Sequence, residues 1–299
     1  DAEPKENAYA SRLSPFDVLM LLDERPGYPM CFFIETHLSG DLSLQRIRTA
    51  IEDATQRHPR LRSCAQYSTH GWQWILSNQP PQIVQLERTP NKESEAFAFR
   101  PFNIRQEPGI RFVVIPKSNE QWSIILQVHH SVCDGLGALD FLGDIWSLYH
   151  GNQPTDFRTH SRTKNIQPHL ENDGNQNIKG DHQHTRQTIA FATFRPSRIT
   201  SSNSANNFPH GRKPFQSFTL PATIVKSLRK RASQSNATTN DIIVAASILA
   251  IHKWNKSQGK ADKRIRITMP VNLRPPRERQ PASNQIGYAF LDRHPSQLR

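Results

Sequence analysis

The sequence predicts an α+β protein with two lobes that are separated by a long polar segment. Two strand-like runs at 109–115 and 122–128 flank a short turn, which predicts an antiparallel pair. Apolar residues recur at spacings of three and four over 44–54, the pattern of an amphipathic helix. Residues 151–215 contain scarcely any apolar run and cannot bury enough surface to offset the entropy of ordering. We therefore expect an N-terminal lobe over 11–150, a flexible linker over 151–215 and a C-terminal lobe over 216–299.

The N-terminal lobe is predicted to begin with a strand and a helix. β-branched and aromatic residues over 30–38 predict a buried strand, and Asp41 in the following turn is expected to cap the helix. Pro59 ends that helix, and His58 before it is expected to interact with the last free carbonyls. Three further elements are predicted in this lobe: strands at 72–75 and 83–86, and a helix at 136–149.

The C-terminal lobe is predicted to hold two helices and a strand. Pro221 opens the first helix, which ends in basic residues that suit the negative end of the helix dipole. Residues 238–241 cap a second helix that runs to Trp254, and its nearly continuous apolar and small residues predict that it is buried. Residues 264–269 alternate in the pattern of a strand.

Composition leaves several functional classes open. The 299 residues suffice for one large domain or two smaller ones, and a hydrophobic content of 35% indicates that part of the chain is not packed. The net charge of +12 fits a nucleic acid, an anionic membrane or an anionic donor such as CoA, but also basic residues scattered over solvated faces. No helix-turn-helix, zinc or RNP phrase accompanies the charge, so we expect no specific nucleic-acid partner.

The cysteines favour a reducing compartment. Cys31, Cys64 and Cys133 are odd in number and lack CxxC spacing, which supports neither a disulfide framework nor a cysteine zinc site. Residues 1–10 carry no apolar signal-peptide core, and no run approaches the roughly 20 apolar residues of a transmembrane helix. We therefore expect a cytoplasmic protein without a transmembrane segment.

The predicted linker carries a cluster of histidines that invites a metal-site interpretation. No carboxylate or thiolate spacing around them supports a defined coordination geometry, so we expect a solvated polar segment and no metal. The histidines concerned are His160, His169, His182 and His184.

The most chemically suggestive stretch is 128–135, which lies between the second strand of the pair and the following helix. Two adjacent histidines end the strand, and an acid and a glycine open the helix. Neighbouring strand residues point to opposite faces, so only one of His129 and His130 can face a given cavity. Asp134 cannot be assumed to touch either ring, because the turn decides its direction. Gly135 suits a tight junction where a side chain would obstruct the backbone.

Residues 129–135, HHSVCDG, resemble the HHxxxDG signature of the condensation-domain superfamily of acyltransferases, which includes wax-ester and diacylglycerol synthases, BAHD enzymes and chloramphenicol acetyltransferase. Further phrases resemble the same family: HPRLR at 58–62, RPFN at 100–103, TTNDIIVAAS at 238–247, PVNLRP at 270–275 and NQIG at 284–287. The resemblance implies a two-lobed fold related to chloramphenicol acetyltransferase, with the site in a tunnel between the lobes. Relatives usually extend beyond the point that corresponds to Arg299, so the second lobe is expected to be partial.

The resemblance also implies roles for individual residues. His130, the second histidine, is expected to act as the general base, because an imidazole can take a proton near neutral pH and return it. His129 is expected to face packing and orient the loop. The resemblance implies a structural role for Asp134 in a salt bridge to an arginine, and Arg274 is our candidate partner. Cys133 permits a competing interpretation in which it is the nucleophile and His130 its base.

These expectations combine into a predicted acyltransferase that moves an acyl group from a CoA or carrier-protein thioester to an amine or hydroxyl acceptor. We expect no tightly bound cofactor, since acyl-CoA or a phosphopantetheinyl carrier is the donor substrate. The alternative is a catalytically inactive condensation-like module that binds a carrier protein, and a nucleic-acid-binding protein is the third class.

Overall fold

The structure is a computed structural model that describes residues 10–25, 29–69, 71–118, 120–157, 196–200, 218–260, 263–276 and 278–297. The chain forms two compact units. The first contains residues 1–160, 209–213 and 272–287, and the second contains 161–208, 214–271 and 288–299. The segment 272–287 therefore belongs to the same unit as the N-terminal part of the chain.

Strands and helices are mixed along the chain, which confirms the predicted α+β class. Among the described residues, the strands are β1 (Ala10–Arg12), β2 (Cys31–Ser39), β3 (Ser63–Ser68), β4 (Gly71–Leu76), β5 (Gln82–Gln85), β6 (Ile110–Ser118), β7 (Gln121–His129), β8 (Ile265–Asn272) and β9 (Ile286–Arg293). The α-helices in the same part of the chain are α1 (Pro15–Leu22), α2 (Leu44–Arg57), α3 (Lys92–Ala98), α4 (Gly135–Tyr149), α5 (Ala222–Gln234) and α6 (Thr239–Ser257).

A four-stranded sheet in the first unit has the order β2-β7-β6-β5. β7 runs antiparallel to both β2 and β6, while β5 is parallel to β6. The predicted strand pair is therefore present as β6 and β7. It is longer than predicted, because β6 continues through Pro116 to Ser118 with a register shift between these two residues. Proline donates no ladder hydrogen bond and is commonly found at such irregularities.

Alternation along the strands gives this sheet two different apolar faces. One face packs against α2 and α4, and its buried residues include Phe112, Leu126 and Val128 of the sheet with Ile51 and Phe141 of the helices. The other face packs against α3 and includes Val113, Ile115, Ile125 and Ala98. Since neighbouring residues point to opposite faces, the two histidines that follow Val128 are directed into different surroundings.

At the start of α2 the predicted cap is wrong: Ser43, not Asp41, is the N-cap, and its hydroxyl accepts a hydrogen bond from the Arg46 N–H at 3.3 Å. At the end of α2, His58 is the C-cap, and its N–H donates to the Thr55 carbonyl at 3.2 Å, as expected of a helix-end residue. Its ring, which is fully buried, binds Asp144 and the backbone of Ala282 instead. These partners lie 86 and 224 positions away along the chain, so the local sequence does not reveal them.

A three-stranded sheet of order β1-β4-β3 completes the sheets of the first unit that are described. Only β4 corresponds to a predicted strand. The buried part of β3 consists of Ser63, Cys64 and Ala65, which are small or polar and give no apolar alternation. Helix α3 was also not predicted.

The second unit contains α5, α6 and most of β8 and β9. Thr238 and Asp241 form a capping box at the start of α6, as the cap prediction requires. The expectation that this helix is buried all round is wrong for the described residues. Val244 and Ile248 pack against Ile265 of β8, but Ile243 is 56% exposed, because the described part of the unit covers one face of the helix.

Most of the predicted linker, including its four histidines, lies outside the described residues. Residues 196–200 within it are described and are attached to the second unit. The Ser197 N–H donates to the Arg264 carbonyl at 2.8 Å, and the Thr200 N–H donates to Asn255 Oδ1 at 3.0 Å. Among the residues that the structure describes, no helix combines the length and the apolar character needed to span a membrane.

Candidate active site

The motif lies where β7 leaves the four-stranded sheet. The His129 N–H donates to the Gly109 carbonyl at 2.8 Å, and the His130 N–H donates to the Met30 carbonyl at 2.7 Å. The backbone is therefore held by the residues just before both neighbouring strands, β6 and β2, up to the point where it turns. The turn closes with a bond from the Val132 N–H to the His129 carbonyl at 3.0 Å, and α4 begins three residues later at Gly135.

The His130 ring lies on the face of the sheet that carries Phe32. The ring centroids of His130 and Phe32 are 5.3 Å apart, and that of Phe16 lies 6.1 Å from His130. The residue is partly buried, and its Nδ1 is buried without a hydrogen-bond partner among the described residues. Two neighbouring aromatic rings limit the orientations available to the imidazole, which suits a group that must meet a reacting atom.

His129 points to the opposite face and is fully buried. Its Nε2 lies 3.1 Å from Glu24 Oε2, and its Nδ1 lies 2.7 Å from Ser131 Oγ. The Ser131 N–H also donates to Nδ1 at 3.2 Å, so this nitrogen is an acceptor. The hydrogen of the neutral ring is consequently on Nε2 and is donated to Glu24. His129 thus connects the turn to Glu24, which lies just after α1.

Asp134 makes no hydrogen bond to His130 in the structure. It is buried and serves as the N-cap of α4, where its Oδ1 accepts from the Gly137 N–H at 2.9 Å. Arg274 donates to both carboxylate oxygens, at 3.0 and 2.8 Å, and the Gln285 N–H donates to Oδ2 at 2.8 Å. The structure therefore brings Asp134 and Arg274 together as a bidentate ion pair, a geometry that favours arginine over lysine.

The steric argument for Gly135 is wrong. A Cβ built on this residue meets none of the described atoms within 4 Å. Two other glycines are constrained instead. A Cβ on Gly137 would lie 3.1 Å from Ser283 O and 3.2 Å from Arg274 Nη2, and one on Gly109 would lie 2.6 Å from Val132 Cγ1. The close approach of segment 272–287 to α4 therefore depends on Gly137.

Asn284 joins three parts of the site and was noted in the sequence only as part of a phrase. Its Nδ2 donates to the carbonyls of His130 and Ser131 at 2.8 and 2.9 Å, and to Asp17 Oδ1 at 2.9 Å. Asp17 is fully buried and also accepts from Arg60 at 3.0 Å. The capping box between Ser14 and Asp17 is the local signal that could have indicated this aspartate.

Cys133 lies in surroundings that disfavour a nucleophilic thiolate. The residue is fully buried, and burial raises the pKa of its thiol far above the usual range. The neighbouring Asp134 carboxylate acts in the same direction. A nucleophilic cysteine needs an accessible thiolate, so these surroundings oppose the cysteine-nucleophile interpretation.

A second buried polar cluster lies at the C-terminal end of α2. His58 Nδ1 accepts from the Ala282 N–H at 2.8 Å, and Nε2 lies 3.2 Å from Asp144 Oδ2. Arg57 and Arg279 also bind Asp144, the former at 3.0 Å. Burial lowers the pKa of His58 to about 4, while its bond to Asp144 acts in the opposite direction. A neutral His58 therefore anchors segment 272–287 to the first unit.

A cleft of about 340 Å³ lies away from the motif. It is lined by Leu38 and neighbouring residues with Trp146 and Tyr149 of α4. Leu38 pairs with Trp122 at one end of β7, whereas Cys31 pairs with His129 at the other. Seven residues of strand separate these ends, or about 23 Å, so the cleft is not part of the histidine site.

A family model described as "Condensation domain" matches residues 21–288. Among curated proteins, plipastatin synthase subunits C and A of Bacillus subtilis (strain 168) are each 23% identical to this chain, over 273 and 274 residues. Each match covers 87% of this chain and 10% of the subunit. The chain thus spans a tenth of the length of these relatives.

Solved structures show the same fold. The first condensation domain of the calcium-dependent antibiotic synthetase, in complex with a substrate analogue, gives a TM-score of 0.67 at 13% identity, covering 96% of this chain and 70% of that chain. A mutant of the starter condensation domain of rhizomide synthetase, in complex with C8-CoA, gives a TM-score of 0.64 at 16% identity. This match covers 95% of this chain and 66% of that chain.

Proposed function

This chain belongs to the condensation-domain family, and we propose that it transfers an acyl group from a thioester donor to an amine or hydroxyl acceptor with His130 as the general base. The observation that carries the proposal is the placement of His130. Its N–H is held by the Met30 carbonyl just before β2, its ring contacts Phe16 and Phe32, and its surface is only partly covered.

The proposed reaction needs one base and no acyl-enzyme. The acceptor nitrogen or oxygen attacks the thioester carbonyl carbon while His130 takes the acceptor's proton. The new C–N or C–O bond forms, the C–S bond breaks, and the imidazolium returns the proton to the departing thiolate. In this scheme Asp134 keeps the turn in place through Arg274 and takes no proton.

We propose that the donor is either acyl-CoA or an acyl group on a phosphopantetheinyl carrier, with no tightly bound cofactor. Both donors present the same thioester, so the residues of the motif do not distinguish them. Two features support such a donor. The rhizomide synthetase domain was solved in complex with C8-CoA, and the net charge of +12 on this chain attracts an anionic donor.

The test is thiol release from a panel of acyl-CoAs and acylated carrier proteins with pooled amine and alcohol acceptors. We expect His130→Ala to lower the acceptor-dependent rate about 10²- to 10⁴-fold, the range for loss of a general base. His150→Ala is the matched control, because His150 is exposed at the end of α4 and makes no contact with the motif.

Two outcomes would contradict the proposal. Equal rates for wild type and both variants would exclude His130 as the base. Carrier-protein binding without acceptor-dependent release from any donor would favour the inactive binding module.

A further inference from the structure

Two buried side-chain atoms lack a hydrogen-bond partner among the described residues: His130 Nδ1 and Asn284 Oδ1. Buried polar atoms are rarely left unpaired, so each such atom requires an explanation. Both atoms belong to the same corner, because the amide of Asn284 already donates to the carbonyl of His130 itself. One is a ring nitrogen that can carry a hydrogen, and the other is an acceptor.

The orientation of the Asn284 amide follows from its neighbours. Nδ2 faces the His130 carbonyl, the Ser131 carbonyl and the Asp17 carboxylate, at 2.8, 2.9 and 2.9 Å. All three are oxygens that accept, and Asp17 is itself held by Arg60. Exchanging the nitrogen and oxygen of the amide would place Oδ1 against three acceptors. Nδ2 must therefore face them, and Oδ1 keeps its capacity to accept.

The tautomer of His130 decides whether it can act as a base. Its Nδ1 is buried, so a proton from an acceptor substrate has to reach Nε2. A neutral imidazole with Nε2 free carries its hydrogen on Nδ1, and that N–H requires an acceptor. Without an acceptor for the Nδ1–H, the burial of Nδ1 does not favour the tautomer that carries its hydrogen there.

We propose that Asn284 is a positioning residue for His130, through two hydrogen bonds of different function. Nδ2 fixes the turn by binding the His130 and Ser131 carbonyls. Oδ1 accepts the Nδ1–H after a small shift of the ring that keeps Nδ1 buried, and this selects the tautomer with Nε2 free. The first bond is present in the structure, and the second is the inferred one, between the two atoms that lack partners among the described residues. The inference rests on the proposed role of His130 as base.

The decisive readout is the tautomer of His130, measured from ring ¹⁵N chemical shifts of histidine-labelled protein and assigned by loss of the signal in His130→Ala. We expect hydrogen on Nδ1 in the wild type with a thioester analogue bound, and a mixture of tautomers in Asn284→Ala. Gln285→Ala is the matched control, because the partners of its side chain among the described residues, Gln280 and Ser283, lie within segment 272–287.

Kinetics provides the second readout. Asn284→Ala should lower kcat about 10- to 100-fold, as expected for loss of a hydrogen bond to a reacting group, with KM little changed and the pH profile of kcat displaced. A fall in kcat with an unchanged tautomer would make Asn284 merely structural and would overturn the inference.

The wild-type measurement decides even when Asn284→Ala fails to fold. Hydrogen on Nε2 of His130 in the analogue complex would overturn the inference directly. If the tautomer depends on Asn284 but the His130→Ala variant keeps full activity, the coupling between the two residues is supported and the proposed function is rejected. Failure of the inference and failure of the proposed function are therefore distinguishable.

Discussion

At the scale of single residues, the two adjacent histidines have different surroundings because a strand alternates its faces. His130 lies among Phe16 and Phe32 on one face, whereas His129 is enclosed on the other with Glu24 and Ser131. The motif therefore contains one ring that is partly accessible and one that holds the backbone of the turn. This separation follows from local geometry and needs no direct bond between Asp134 and either ring.

Glu24 is expected to stabilise the turn through His129. Glu24→Ala leaves the buried Nε2–H of His129 without an acceptor, which costs about 1–3 kcal/mol of the free energy of unfolding. Glu24→Gln retains an acceptor oxygen and should lose less. Urea denaturation of both variants measures the difference. Asp23→Asn is the control, because within the described part of the chain the Asp23 carboxylate binds the exposed Arg25 and no other side chain. Equal losses for the alanine and glutamine variants would contradict this account.

At the scale of elements, α4 is closely approached by segment 272–287 at Gly137. Gly137→Ala places a methyl group about 3.1 Å from Ser283 O, whereas Gly143→Ala in the same helix meets no described atom within 4 Å. Alanine in a helix is favoured over glycine by about 1 kcal/mol, so Gly143→Ala should be stabilising. Overpacking typically costs about 1–3 kcal/mol, so Gly137→Ala should be less stable than Gly143→Ala. Thermal unfolding of the pair tests this, and equal midpoints would contradict it.

The same segment is anchored by neutral His58 at Ala282, the residue next to Ser283, which predicts a pH dependence. Burial lowers the pKa of His58 to about 4 from an ordinary 6.5, so the unfolded chain binds the proton first. This stabilisation is fully present above about pH 6.5. It is lost as the pH falls towards 4, where the free energy of unfolding is lower by up to about 3 kcal/mol. Asp144, Arg57 and Arg279 are the charged groups around the ring.

Denaturation of the wild type and His58→Gln at several pH values between 7 and 4 isolates this contribution. The carboxylates that titrate in the same range are common to both proteins. The wild type should lose stability more steeply than the variant as the pH falls. Parallel curves would show that His58 does not supply the pH dependence.

At the scale of the whole molecule, elements with regular apolar patterns could be predicted from the sequence. The strand pair β6–β7, the helices α2 and α4 and the capping box at Thr238 follow from alternation, helical spacing and capping residues. β3 escaped prediction because its buried residues are small or polar. The burial of α6 was overestimated because composition does not show which face of a helix is covered.

The site could be predicted only in part, because some of its residues lie far from the motif along the chain. His129, His130, Asp134 and Gly135 are contiguous, so a local phrase reveals them. Arg274 was identified through the family resemblance. Asn284, 154 positions from His130, and Glu24, 105 positions from His129, belong to the site only through tertiary contacts that no local pattern records.

The central claim is that this chain transfers an acyl group directly, with His130 as base. Its most direct test is mass spectrometry of both the small molecules and the intact protein after incubation with a thioester and a competent acceptor. The account predicts an acylated acceptor, no acyl group on the protein, and little product with His130→Ala. Release of free acid alone, or an acyl group retained on Cys133, would contradict it.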